Sequence, residues 1–189
     1  GNLRMMALAH RDQGRLPWRR LFEPAIRLAR EGFAISPRTF AMLKDNAETG
    51  AYSAAGRALF YRTDGSPKPA GTIVRNPELA AFLEQLGRHG ADHFYSGQNA
   101  AAIASAVRNA PTNPAPMTAA DVERYQAKKR PPVCGLYRGH RICGMGPPSS
   151  GATTVFAILK QLERFDLARL GRASPVSWHL IAESTRLAF

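Results

Sequence analysis

One stretch, Gly144-Met145-Gly146-Pro147-Pro148-Ser149-Ser150-Gly151, constrains the fold of this chain more than any other. Consecutive prolines fix φ and remove backbone donors, the serines offer side-chain caps, and Gly151 tolerates a close backbone approach. The segment is entered from a short β-branched and cysteine-bearing run and left through an apolar helical pattern, Val155, Phe156, Ile158, Leu159 and Leu162. It reads as a rigid strand-to-helix turn, so any fold must set one strand and one helix in fixed relation across it.

The strand side of that turn belongs to the one β-hairpin the sequence predicts. From Pro131 the pattern turns from helical to strand-like, with Val133, Cys134, Leu136, Tyr137, Arg141, Ile142 and Cys143 disposed around Gly139. Cys134 and Cys143 either face one another or lie one residue out of register, and the pattern does not choose. With two cysteines and no CxxC pair, neither a disulfide framework nor a zinc site is indicated, and two small buried strand residues are the default expectation.

The rest of the chain is helical in pattern. A helix from about Leu16 to Ala29 places Leu21, Ala25, Leu28 and Ala29 near one face and ends at Gly32, after which Phe33 and Ile35 pack back. Ser36-Pro37 and Asn76-Pro77 each open a helix, the second with a stripe of Leu79, Phe82, Leu83 and Leu86. Residues 50–56 read as loop and 60–72 as turns between short extended pieces. An alanine-rich helix follows Ser96 or Gly97 with Ile103 and Val107 inward, then the linker-like 109–116, and then Thr118-x-x-Asp121, which resembles a capping box. Ser174-Pro175 starts a last helix bearing Trp178, Ile181, Ala182 and Leu187. The predicted fold class is α+β, predominantly α-helical with one β-hairpin. It divides into a helical region over 1–116 and a region of capped helix, hairpin, turn and C-terminal helices over 117–189, both parts of one incomplete domain.

At 189 residues and 44% hydrophobic, the chain can build a core. Neither a secretory signal nor a membrane span is legible. The opening at Gly1 and the uncapped helical pattern of 180–189 read as cuts within a longer protein. A formal charge of +12 would suit nucleic acid if the cations clustered. Apart from Lys128-Lys129-Arg130 they recur singly, as at Arg27, Arg88 and Arg164, which predicts solvated helix faces and no nucleic-acid partner.

With its flanks, the Pro147-Pro148-Ser149-Ser150-Gly151 turn resembles the PPSSG signature of the γ-glutamyltranspeptidases, within the N-terminal-nucleophile hydrolase superfamily. Further matches, in the family's order, are Gly14-Arg15-Leu16-Pro17-Trp18, Glu23-Pro24-Ala25-Ile26-Arg27-Leu28-Ala29, Glu31-Gly32-Phe33, Phe94-Tyr95-x-Gly97, Met117-Thr118-x-x-Asp121, the 159–166 run and His179-x-x-x-Glu183. Gly146 and Ala152 depart from the family's frequent residues. The resemblance covers nearly the whole chain and is to an internal segment of the large subunit.

The resemblance implies a parent with an αββα sandwich that moves a γ-glutamyl group from glutathione or a related amide to water or an amine. The parent would be periplasmic or extracellular and free of cofactor. In the family a threonine freed by self-cleavage attacks the amide carbonyl with its own α-amino group as base, and a glycine pair supplies oxyanion donors. An arginine upstream of the matched region holds the substrate α-carboxylate. By alignment order the segment lies between that arginine and the threonine, so no catalytic, cofactor-binding or metal-ligating residue is assigned here and the segment alone is expected to be inert. Its expected partners are the remainder of the large subunit and the small subunit, with self-association of the isolated segment through hairpin edges and an uncovered apolar helix face.

Other residues invite assignment. Thr153-Thr154 imitates the cleavage-point doublet but falls inside a helix and lacks the histidine expected two positions after the first threonine. Ser149 and Ser150 are expected to cap and hold the turn. His89 and His93 imitate a metal pair, but Gly90 interrupts the helix that would put both rings on one face, so solvated or capping roles are expected. His179, Glu183 and Arg186 suit pairing along a helix or a buried contact.

Overall fold

The computed structural model describes all 189 residues, Gly1–Phe189, as two compact units, Gly1–Ala127 and Lys128–Phe189. No helix is long and apolar enough to cross a membrane.

The first unit is a set of short helices joined by glycine and proline turns. Helix α1 (Asn2–Gln13) leads to a 3-10 turn (Trp18–Leu21) and α2 (Glu23–Glu31). The expected single helix from Leu16 is therefore broken, and the tighter turn shifts the helical phase of α2. Leu21 and Leu28 are about half exposed, whereas Phe22 and Ile26 are half-buried and Ala29 is buried. Trp18 packs edge-on against Phe22 and donates its indole N–H to the Leu86 carbonyl at 3.0 Å.

Gly32 ends α2 at φ +97, and a Cβ there would meet the Val74 carbonyl oxygen at 2.9 Å, so both conformation and space demand glycine. The approach arises because β1 (Phe33–Ala34) pairs antiparallel with β2 (Ile73–Val74), a ladder the sequence pattern does not announce. Two residues per strand, separated by helices, leave no alternation to detect. The ladder seats Ile35 and Val74 in the core, while Phe33 remains 44% exposed rather than packing back.

Ser36 caps α3 (Pro37–Asp45) through Thr39, and Asn76 caps α6 (Pro77–His89) through Leu79, in agreement with the Ser-Pro and Asn-Pro signals. The 50–56 loop is corrected: α4 (Ala47–Gly50) and α5 (Ala54–Phe60) occupy most of it. Ser53 caps α5 through the Gly56 amide at 3.0 Å, and the glycine in its first turns disguises the helix. Tyr61 is buried after it and donates its hydroxyl to the Leu43 carbonyl at 2.9 Å.

In α6, Leu86 and Ala80 are buried and Leu79 is 44% exposed, so the inward stripe runs one residue off the predicted one at its start. Gly90 at φ +81 turns the chain into α7 (Asp92–Tyr95). In α8 (Gly97–Arg108), Ala100 and Ala104 are buried and Ile103 and Val107 only half-buried. Small residues four apart let α8 approach α9 (Ala119–Glu123) closely. The capping box at the start of α9 is complete, with Asp121 as its acidic member.

The second unit is one hairpin under two helices. Strands β3 (Val133–Tyr137) and β4 (His140–Gly144) pair antiparallel about Arg138 and Gly139, both at positive φ. That two-residue turn pairs Cys134 with Cys143, which form a disulfide with 4.2 Å between their Cα atoms. The default expectation of two buried free cysteines is thereby corrected, since Cys134 is half-buried and Cys143 exposed.

Helix α10 (Gly151–Leu162) lies on the hairpin, and α12 (Pro175–Ala188) packs on α10, with α11 (Leu167–Leu170) between them in sequence. Ser174 caps α12 as predicted. Its inward residues are Ser177 and Ser184, both buried, whereas Trp178 is 62% and Leu187 67% exposed. Buried serines bring the helix axes together, and the Ser177 hydroxyl is satisfied by the Gly171 carbonyl at 3.1 Å.

Candidate functional site

The junction from β4 through the diproline turn into α10 gathers the most specific residues of the chain. Two close approaches fix it from the strand side. A Cβ at Gly144 would lie 2.9 Å from the Ala152 Cβ, and one at Gly135 would run into the Phe156 ring. These glycines, rather than Gly151, are where backbone must come near, because a Cβ at Gly151 would meet only the Ser149 hydroxyl at 3.3 Å. One face of the hairpin is thus laid flat on α10.

The turn is held by its own polar groups. Its Pro147-Pro148 peptide is cis. Ser149 donates its amide to the Gly146 carbonyl at 3.2 Å and accepts the Gly151 amide on its hydroxyl at 3.2 Å. Ser150 stands at the N-cap of α10 without a side-chain bond, so of the two expected capping serines only Ser149 engages an amide. The Arg130 guanidinium donates to the Pro147 carbonyl at 3.0 Å and ties the turn to the chain before β3. Thr153 and Thr154 lie within α10, and the Thr153 hydroxyl donates to the Ser150 carbonyl at 3.1 Å.

The other end of the hairpin is braced by α10. Glu163 accepts the Arg138 amide at 2.8 Å and pairs with Lys160, and the Arg138 guanidinium donates to the Phe165 carbonyl at 2.7 Å. The amide bond from Arg138 and then Lys160 hold the Glu163 carboxyl below its ordinary range. Nothing in the sequence pattern announces this brace, because the partners are 25 residues apart. The disulfide does leave a signal: a two-residue turn at 138–139 places both cysteines at equal distance from it, hence opposite one another.

The remaining candidates resolve differently. His89 and His93 do come together, with ring centroids 5.5 Å apart, because Gly90 turns the chain straight into α7 instead of separating them. His93 also lies 6.4 Å from the Phe82 ring, and no group of three or more metal-ligating side chains includes the pair. On α12, Glu183 accepts both Arg186 donors, at 2.7 and 3.0 Å, and this bond holds its carboxyl low, while His179 is exposed.

In the first unit, Arg19, Arg27, Arg30 and Arg88 line a cleft of about 350 Å³ with Glu23, Glu31 and Glu84. The Arg30–Glu84 pair holds the Glu84 carboxyl low. Both signs of charge line this cleft, so it presents no single-sign field.

The sequence model of the γ-glutamyltranspeptidases matches residues 1–189. The chain belongs to the γ-glutamyltranspeptidase family. It is 32% identical over 190 residues to the glutathione hydrolase proenzyme of Escherichia coli K12, an alignment covering all of this chain and 32% of that protein. Against the acylase ACY 1 proenzyme of Pseudomonas sp. SE83 it is 32% identical over 176 residues, covering 93% of this chain and 31% of the acylase. Its fold is similar to that of Helicobacter pylori γ-glutamyltranspeptidase, at a TM-score of 0.89 and 34% identity, over all of this chain and 53% of that one. The α+β reading as a segment of an N-terminal-nucleophile hydrolase therefore holds. The chain spans about a third of the length of the curated relatives it matches.

Proposed function

We propose that these residues are an internal part of the large subunit of a γ-glutamyltransferase and glutathione hydrolase. The whole protein would transfer the γ-glutamyl group of glutathione or a related amide to water or an amine through a γ-glutamyl-enzyme intermediate. The observation that carries this is the match of the whole chain to the family, and beside it stands a diproline turn whose strand and helix are locked at Gly144 and Ala152. In this reading the nucleophilic threonine, its amine base and the oxyanion donors come from the small subunit, and the present residues do no bond chemistry. They pack outer helices against the sandwich and shape a wall of the substrate cleft.

The exposed Trp178 and Leu187 would then be covered by the rest of the large subunit and by the small subunit. Both regions, 1–116 and 117–189, would belong to one domain of the complete enzyme. A periplasmic or extracellular location suits the Cys134–Cys143 disulfide, since such bonds persist in oxidising compartments.

Expression of the complete reading frame tests the proposal. Two fragments by intact mass, the second beginning with threonine, together with hydrolysis of γ-glutamyl-p-nitroanilide, is the expected outcome. An uncut chain with no turnover would refute it. The acylase relatives motivate a second reading, a glutaryl-cephalosporin acylase, whose signature is preference for a glutaryl over a γ-glutamyl anilide.

A further inference from the structure

The disulfide sits on the face of the hairpin that the helices leave open. Alternation along the strands separates two sets of residues. Gly135 and Gly144 face α10, as their clearances to Phe156 and Ala152 require. Cys134, Leu136, Arg141 and Cys143 therefore share the opposite face, where Leu136 is 63% exposed and both Arg141 and Cys143 are exposed. The bond is not a core staple. It also spans only nine positions of sequence, so the stability it lends the fold by constraining the unfolded chain is at the low end for disulfides.

The charge around it favours thiolate chemistry. Arg141 lies beside Cys143 on the same face and opposite Leu136 in the ladder. Lys160 donates to the Leu136 carbonyl at 3.3 Å, and Arg130 and Arg138 occupy the two ends of the hairpin. Glu163 accepts the Arg138 amide and pairs with Lys160, so those two charges offset one another and the surplus positive charge is that of Arg130, Arg138 and Arg141. A surface of this sign draws an anionic thiol and stabilises a departing thiolate.

We propose that Cys134–Cys143 is a reversible exchange site for small anionic thiols of the glutathione class. The identification of the thiol rests on the function proposed above, in which glutathione is the substrate and the dipeptide it releases is also a thiol. The thiolate attacks the Sγ of Cys143, the more exposed residue of the pair; the bond to Cys134 breaks and Cys134 leaves as a thiolate that takes a proton from water. A second thiol attacks the glutathione sulfur of the mixed disulfide, releasing Cys143 as thiolate and forming glutathione disulfide. Two thiols are oxidised and one protein disulfide is reduced. Exchange would untie β4 from β3 one residue before the Gly144–Ala152 contact, so the redox state reports directly on the diproline junction.

The test uses the full-length protein in glutathione and glutathione disulfide mixtures, followed by acid quench, alkylation and intact mass. The expected result is reversible reduction under native conditions, rising from about one tenth to nine tenths as [GSH]²/[GSSG] increases roughly a hundredfold, as a two-electron couple requires. A Cys134→Ser variant should trap one glutathione on Cys143. Arg141→Gln should slow exchange with glutathione several-fold and leave exchange with uncharged 2-mercaptoethanol nearly unchanged. A bond that resists both thiols in the native protein, yet is reduced once the chain is unfolded in guanidinium, overturns the proposal. Turnover of γ-glutamyl-p-nitroanilide is read on the same samples: turnover without exchange overturns this inference alone, whereas exchange without turnover upholds the thiol site and counts against the enzymatic reading.

Discussion

The two units of the chain reach order by different means. Residues 1–127 bury Ile35, Tyr61, Val74, Leu86 and Tyr95 among a set of alanines, and α3, α5, α6 and α9 begin at side-chain caps. Residues 128–189 bury only Ala152 and Leu162 as apolar side chains, beside the serines of α12. What the second unit lacks in apolar burial it replaces with constraint: a disulfide, a diproline turn, an arginine on a proline carbonyl and a carboxylate on the hairpin amide. The family signature lies in the constrained unit. Apolar burial is non-directional and tolerates repacking, whereas backbone constraint fixes position, which is what a cleft wall must supply.

That contrast is most readily broken in the first unit. Leu86 is among the most deeply buried large side chains, and its carbonyl anchors the Trp18 indole. Leu86→Ala should cost about 2–5 kcal/mol, the usual range for a buried leucine whose surroundings relax only partly. Urea unfolding of the full-length protein measures the loss, and hydrogen exchange should show α6 and α2 opening first. A cost under about 1 kcal/mol would mean that apolar packing does not dominate there.

A smaller effect sharpens the other side. Gly135→Ala adds a single methyl where the Phe156 ring lies against the strand, so the ring must turn or the hairpin must lift from α10. Overpacking of this kind should cost about 1–3 kcal/mol. Gly135 has an ordinary strand conformation, so the penalty is steric and should be relieved by Phe156→Leu in the same chain. Failure of that second change to restore stability would show that the junction is not held by strand-to-helix contact. Thermal unfolding of both variants in the full-length protein separates the outcomes.

The legible parts of the fold are those set by local chemistry. Ser36, Asn76, Thr118 and Ser174 are readable as caps because a short polar side chain and a nearby amide are all that a cap needs. The hairpin is readable from its strand-forming residues around Gly139. The β1–β2 ladder, the break of the Leu16–Ala29 helix into a 3-10 turn and α2, and the outward placement of Trp178 are not, because each depends on what a distant segment does. At the candidate site, the turn is legible from its residue types, but its working contacts are not. Gly135 and Gly144 look like ordinary strand glycines until Phe156 and Ala152 stand against them. The cysteine register requires counting from the two-residue turn, and the default of burial competes with that count.

The smallest effect concerns acid, and it tests the brace on the hairpin. Glu163 has its carboxyl held low first by the Arg138 amide and then by Lys160. A carboxyl whose folded pKa lies below its unfolded value near 4.3 contributes stability that is fully present above that value and is lost as pH falls through the folded one. The contribution should therefore be flat from neutral pH down to about 5 and decline below about 4. Glu163 is partly open to solvent and screened, so the change is small and should weaken with salt. In Glu163→Gln the amide oxygen can still accept from Arg138, but the carboxylate charge is gone, so the acid decline of the second unit should become shallower while stability at pH 7 falls only slightly. Asp64, Glu84 and Asp121 in the first unit are also held low, by Ser66, Arg30 and Thr118 respectively, and they keep their own acid dependence in that variant. Hydrogen exchange of the β3 and β4 amides between pH 3 and 6, corrected for intrinsic rates, separates the two. If Glu163→Gln leaves the acid response of the hairpin unchanged, Glu163 braces nothing, and the constraint in that unit resides in the disulfide and the diproline turn alone.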